Sequence, residues 1–293
     1  MTRKKDLSRW LLILFHATLV LSGCSPFMET THEHANRAWE QRAIAKNFQK
    51  SLIATDKFTL MSFQKIENLH RSIVIYIEGD GRTWITRTKL SDNPTPKNPL
   101  ALKLAFLDPS ANVAYLARPC QYTPFHLNKA CSPVIWSDQR FSESIVHSMN
   151  QAIDVIKMNA KTKHIHLIGF SGGGAIAVLI AARRHDVLTL RTVAGDLDPD
   201  KLSQYHQTTP LKGSLNPTHV ILKLTSLPAH HFSGENDPVV SSFIAEEFVN
   251  EMIRNGSYCA RHTTLKNATH HKGWEAAWKD LLLKPVNCEA NQS

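Results

Sequence analysis

Residues 164–174, HIHLIGFSGGG, restrict the architecture of this chain more than any other stretch. His164-Ile165-His166-Leu167-Ile168 is a short β-forming run that ends in Gly169-Phe170-Ser171-Gly172-Gly173-Gly174. An apolar run from Ala175 to Ala182 follows at once, so a strand turns sharply into a helix with Ser171 at the apex. The pattern is G-x-S-x-G, with Gly169 and Gly173 small where so tight a turn has no room for bulk, and the turn lifts the hydroxyl clear of the sheet. The helix starts under that hydroxyl, and its unpaired N–H groups and positive dipole end face any negative charge that develops there.

The rest of the chain supplies the surroundings such a turn needs. Residues 51–63 alternate, with Phe58, Leu60 and Phe63 inward, and read as one or two opening antiparallel strands. Ile73-Val74-Ile75-Tyr76-Ile77 is a continuous β-forming run that ends in Glu78-Gly79-Asp80-Gly81, as expected of a strand covered on both faces. Further strands are expected at 111–116, 188–193, 228–232 and 261–265. Helices are expected at 99–107, 141–158, 243–253 and 274–283, with a short one near 220–224. Strand and helix patterns alternate without an internal repeat, which predicts an α/β fold: a mainly parallel sheet flanked by helices on both faces. Residues 51–293 are expected to form one domain, with 197–225, rich in Pro, Gly, Ser and Thr, as a short cap or long loop over the site.

The amino terminus reads as a targeting signal. Arg3, Lys4 and Lys5 precede an apolar run from Trp10 to Leu21, too short to serve as a good membrane span, and Leu21-Ser22-Gly23-Cys24 follows. This resembles the bacterial lipobox. The resemblance implies removal of residues 1–23, acylation of Cys24 by a chain such as palmitate, and a lipid-anchored envelope protein. Ser25 after the cysteine implies the outer membrane, facing the periplasm. Residues 24–50 then act as a tether and surface helix, with Ala35, Trp39, Ala43, Ile44 and Phe48 on one side. Removing residues 1–23 takes away four cations (Arg3, Lys4, Lys5, Arg9) and one anion (Asp6), so the formal charge falls from +9 to +6. That charge is spread out, with no Lys/Arg block and no interleaved aromatics, and nucleic-acid binding is not expected.

Cys120, Cys131, Cys259 and Cys288 remain, an even number that in an exported chain suggests disulfides. Three pairings are possible. Cys120 with Cys131 and Cys259 with Cys288 would clip a loop beside the site and pin the last helix to the last strand.

A serine hydroxyl needs a base within hydrogen-bond reach, itself oriented by a third group. In an open α/β sheet such groups gather at the carboxyl ends of strands. Asp237 follows one strand in Gly234-Glu235-Asn236-Asp237-Pro238, and His270 follows the last strand in Asn267-Ala268-Thr269-His270-His271-Lys272-Gly273-Trp274. Asp196 or Asp198 rivals Asp237 for the acid, and His271 rivals His270 for the base. His164, His166, His230 and His231 read as structural. No HExxH or Cys-x-x-Cys pair is present to suggest a metal, and Gly172-Gly173-Gly174 lacks the Lys-Ser/Thr of a phosphate loop.

The order Ser171, Asp237, His270, with the serine between strand and helix, resembles the α/β-hydrolase superfamily over roughly residues 51–283. The whole chain is similar to a group of envelope lipoproteins of this fold, marked by Ile77-Glu78-Gly79-Asp80-Gly81, Ala117-Arg118-Pro119-Cys120-Gln121-Tyr122 and His270-His271-Lys272-Gly273-Trp274. The resemblance implies Ser171 as nucleophile, His270 as base and then acid, and Asp237 as the orienting acid. It implies an oxyanion hole from the N–H of Gly172 and that of Asp80 or Gly81. Glu78-Gly79 stands where the superfamily commonly has His-Gly, and carboxylates there oppose a developing oxyanion. Either they point away to Arg82 or Arg118, or the hole is built differently. The activity implied is a serine esterase working through an acyl-enzyme, on a small-molecule or lipid-like ester rather than an amide, with no cofactor. The alternative is a non-catalytic envelope lipoprotein that uses the scaffold to bind a ligand or partner.

Overall fold

The strand before Ser171 lies near the middle of an eight-stranded sheet. The computed structural model describes residues 31–86 and 88–288, with side chains from residue 36 onward. The expected signal peptide and Cys24 lie outside the described residues. The chain opens with α1 (Thr31–Ala45), β1 (Gln49–Ala54), β2 (Thr59–Ile66), β3 (Ile73–Ile77), α2 (Leu100–Ala105) and β4 (Asn112–Leu116). It continues with α3 (Pro133–Trp136), α4 (Glu143–Asn159), β5 (Ile165–Phe170), α5 (Gly172–Ala181), β6 (Val187–Val193) and α6 (Pro199–Tyr205). A 3-10 turn at Pro217–Lys223 leads to β7 (Ala229–Gly234), α7 (Ser242–Arg254), β8 (Ala260–Leu265) and α8 (Trp274–Leu283).

The strand order is β1-β2-β4-β3-β5-β6-β7-β8. β2 pairs antiparallel with β1 and β4, and every later pairing is parallel. Side chains alternate across each strand, so the sheet has two apolar faces. On one, Ile73, Ile75, Ile77, Ile165 and Leu167 pack under α4, α5 and α7. On the other, Tyr76, Ile168, Phe170 and Phe232 meet α1, α2 and α8, with Trp39, Trp274 and Trp278 as the largest fillers. The inner strands read as unbroken apolar runs because both faces are covered.

Three local readings differ from the observed chain. Phe63 does not share the inward face of Phe58 and Leu60 but points to the opposite side of the sheet. An odd spacing along a strand reverses the side chain. Phe48 lies beyond the end of α1, where it is still buried, while Ile44 on that helix is 61 % exposed. Trp39 and Ala43 are buried as well, so residues 39–48 join the core that begins in earnest at β1. The third difference is α6, inside a stretch read as loop. Its signal is polar: Asp198 caps the helix by accepting from the Lys201 amide at 3.2 Å, and Pro199 occupies the first turn.

Two disulfides are formed, Cys120–Cys131 in the segment after β4 and Cys259–Cys288 between the start of β8 and the tail beyond α8. Among the described residues no helix is long and apolar enough to cross a membrane.

Candidate active site

Ser171 leaves β5 with φ 52° and ψ −125°, a conformation that side-chain-bearing residues avoid unless their surroundings impose it. Here the backbone is held from three sides. The Ser171 amide donates to Val193 O at 2.9 Å, and its carbonyl accepts from Gly174 N at 2.8 Å and from Asp196 N at 3.1 Å. The glycines make the turn possible by proximity. A Cβ on Gly173 would lie 2.4 Å from the carbonyl oxygens of both Ile77 and Glu78, and one on Gly169 would lie 2.2 Å from Gly173 O. The first turn of α5 therefore rests directly on the backbone at the end of β3.

His270 comes from the turn after β8. Asn236 N donates to Ala268 O at 2.9 Å, and Trp274 Nε1 donates to Thr269 O at 2.8 Å, which fixes that turn against its neighbours. The His270 Nε2 atom lies 3.0 Å from Ser171 Oγ, and Nδ1 lies 2.8 Å from Asp237 Oδ2. The other oxygen of Asp237 accepts from the amides of Val239 and Val240 at 2.8 and 3.0 Å. A carboxylate only accepts, so Nδ1 carries the proton and Nε2 presents its lone pair to the serine hydroxyl. Asp237 and His270 are both nearly shut off from water, at 8 % and 6 % exposure.

The rival residues have other partners. His271 packs edge-on against His270 at 4.8 Å and tilts against Phe170 at 5.5 Å, with burial holding its imidazole below the usual range. Asp196 is buried, its carboxyl pushed up to about 6 by desolvation, and it lies 3.6 Å from Arg140. Asp198 is engaged as the α6 cap and accepts from Asn216 at 3.0 Å. His166 and His231 bond Thr189 and Thr192 at 2.8 and 2.9 Å, and His230 bonds Thr263 at 2.9 Å. Burial lowers all three histidines, His230 to about 4 and His231 to about 3.

The two acids of the Glu78-Gly79-Asp80 segment take different paths. Asp80 stands beside the first residue of α5, since a Cβ on Gly172 would lie 2.0 Å from Asp80 Oδ1. Its charge is met by Arg118 at 3.1 Å on one oxygen and Arg140 at 3.1 Å on the other. Glu78 turns inward, is 1 % exposed, and accepts from the Gly79 amide at 2.9 Å. Burial pushes its carboxyl up to about 7. Arg118 is a partner as the sequence suggests, for Asp80, whereas Arg82 forms no ion pair with either acid among the described residues and Arg140 takes its place. Arg140 carries no motif. The only hint was its place just before Phe141, over whose ring it stacks at 5.1 Å.

The Ser171 hydroxyl opens onto a cavity of about 610 Å3 bounded by Glu78, residues 80–84, residues 96–98, Arg140, Phe170, Val239, His270 and His271. The stretch 197–225, expected to cover the site, contributes none of these residues. It instead buries Leu202, Ile221 and Leu224 in the core. Much of the wall is built from the segment between β3 and α2, which supplies residues 80–84 and 96–98. Among the described residues no group of His, Cys, Asp and Glu side chains is placed to hold a metal ion.

No known family profile and no curated protein matches this sequence. Solved structures do match by shape. An esterase from Pyrococcus furiosus superposes with a TM-score of 0.59 at 14 % identity, over 82 % of this chain and 90 % of that one. An alpha-beta serine hydrolase homologue from Coxiella burnetii gives 0.51 at 15 %, over 80 % and 93 %. A puromycin-hydrolyzing peptidase from Mycobacterium tuberculosis gives 0.55 at 15 %, over 78 % of this chain and 36 % of that one. The chain has the α/β-hydrolase fold. Within that fold, Ser171, Asp237 and His270 stand on the loops after β5, β7 and β8, at one end of the sheet.

Proposed function

We propose that the protein is a serine hydrolase that cleaves carboxylic esters through an acyl-enzyme. The observation that carries this reading is the continuous hydrogen-bonded line from Asp237 through His270 to Ser171, opening onto a cavity. Structural neighbours that include esterases and a peptidase support hydrolysis as the reaction class.

Ser171 Oγ attacks the ester carbonyl as His270 Nε2 takes its proton, and the imidazolium formed is stabilised by Asp237. The carbonyl oxygen becomes an oxyanion facing the N-terminus of α5, where the Gly172 N–H is the first donor and the backbone N–H at Asp80 the second. Collapse of this intermediate breaks the bond to the alcohol, which leaves with the proton from His270. Water then adds to the acyl-serine with His270 again as base, and the acid departs as Ser171 regains its proton. The carboxylate of Asp80 beside this site would oppose the oxyanion on its own. Arg118 and Arg140 offset that charge.

A fluorophosphonate probe tests the assignment. Labelling should map to Ser171 and vanish in both Ser171→Ala and His270→Ala, with hydrolysis of simple esters falling at least a thousandfold in each. Folded wild-type protein that neither labels nor turns over an ester would overturn it and leave a binding role for the scaffold. The lipobox likeness at Cys24 adds the second half of the proposal, an enzyme held by a lipid anchor in the bacterial envelope, at the outer membrane.

A further inference from the structure

The cavity holds more positive charge than its own ion pairs consume. Arg140 is engaged by Asp80 at 3.1 Å and Asp196 at 3.6 Å. Glu78 and Asp80 are the only carboxylate-bearing residues among those lining the cavity; Glu78 is shut away from water, and Asp80 is shared by two arginines. Arg82 and Lys97 line the same cavity, and among the described residues neither forms an ion pair. Arg82 is half-buried and Lys97 exposed, so their charges are open to a ligand that enters the cavity.

Both stand on backbone fixed from outside the cavity. Arg82 N donates to Pro94 O at 2.8 Å. Trp39 Nε1 on α1 donates to Lys97 O at 3.1 Å, and the Tyr122 hydroxyl donates to Pro96 O at 3.0 Å. Tyr122 N also donates to Thr95 Oγ1 at 3.0 Å. Side chains from α1 and from the loop clipped by Cys120–Cys131 thus hold the segment that carries the charges. Trp84, Phe170 and Val239 give the same cavity an apolar surface. Cations carried on a held backbone beside apolar surface select a ligand with a matching anion and an apolar body.

We propose that the preferred substrates are esters bearing an anionic group, a carboxylate or phosphate, bound by Arg82 and Lys97 while the apolar part packs on Trp84 and Val239. This inference rests on the serine-hydrolase reading of Ser171, and two independent measurements separate the fates of the two.

The first compares matched esters at low salt: para-nitrophenyl valerate against para-nitrophenyl glutarate for an anion on the acyl side, and phenyl butyrate against carboxyphenyl butyrate for one on the alcohol side. Rates in Ser171→Ala are subtracted as background. At least one anionic ester should exceed its neutral match about tenfold in kcat/KM, mainly through KM, and the ratio should shrink as salt is raised. The Arg82→Gln/Lys97→Gln double variant should bring the ratio near one, and Arg82→Lys/Lys97→Arg should restore it.

The second uses calorimetry on Ser171→Ala, with phenylpropionate against phenylpropanamide. The acid should bind about tenfold tighter, and that preference should vanish in the added double glutamine background. An acid preference without turnover of any ester would leave Arg82 and Lys97 as an anion-binding site and remove the catalytic reading together with the ester preference. Turnover with ratios near one and equal binding of acid and amide would overturn this inference alone, as would a ratio that persists in the glutamine variant.

Discussion

Glu78 is a carboxyl group buried beside the turn that carries Ser171, with burial raising it from 4.5 to about 7. A group raised in the folded state binds its proton more tightly there than in the unfolded chain. Its stabilising effect is therefore fully present below pH 4.5 and is lost as pH rises through 7. The size of the loss, on the order of 3 kcal/mol, follows from about 1.4 kcal/mol for each pH unit of displacement. Glu78→Gln keeps the oxygen that accepts from Gly79 and removes the titration. Denaturant midpoints between pH 4.5 and 7 should fall more steeply in the wild type than in this variant, and parallel slopes would refute the assignment. At this scale the sequence was informative for Ser171, Asp237 and His270, because each stands in a turn with its own residue pattern. Arg140 was not legible, since it reaches Asp80 and Asp196 only after three distant loops converge.

Among the elements, the junction of β5 and α5 is the least forgiving. Gly173 has no room for a methyl group, and the atoms in its way are backbone oxygens of Ile77 and Glu78 that cannot rotate aside. Gly173→Ala should cost about 3 kcal/mol by overpacking and should displace β3 from α5. Thermal or denaturant unfolding measures the first, and loss of fluorophosphonate labelling in still-folded protein reports the second. Stability within about 0.5 kcal/mol of the wild type would contradict the packing described. The helices with apolar stripes, α4 and α7, were legible from their period because one face of each meets the sheet. α6 was not, because its start is written in Asp198 and Pro199 rather than in apolar spacing. The cavity wall was harder still: residues 94–98 have no regular structure and are placed by hydrogen bonds from Trp39 and Tyr122, contacts that no local pattern encodes.

For the whole molecule, a mainly parallel sheet covered on both faces followed from the alternation of strands and helices, whereas the order of its strands did not. Location does not follow from the fold. It rests on Leu21-Ser22-Gly23-Cys24, and Cys24→Ala should leave an unprocessed precursor that no longer incorporates labelled palmitate in cells. Normal palmitate incorporation in that variant would refute the anchor. Only six residues separate Cys24 from Thr31 at the start of α1, so an anchored form would hold this helix within roughly 25 Å of its lipid even with the linker fully extended. That same helix carries Trp39, whose indole lies in the core and whose N–H grips the carbonyl of Lys97. In such an anchored form the leash and the mouth of the cavity would share a fastening. Trimming the chain to begin at the first strand would discard that fastening, so a shortened form that keeps the rim intact must retain Trp39 on α1.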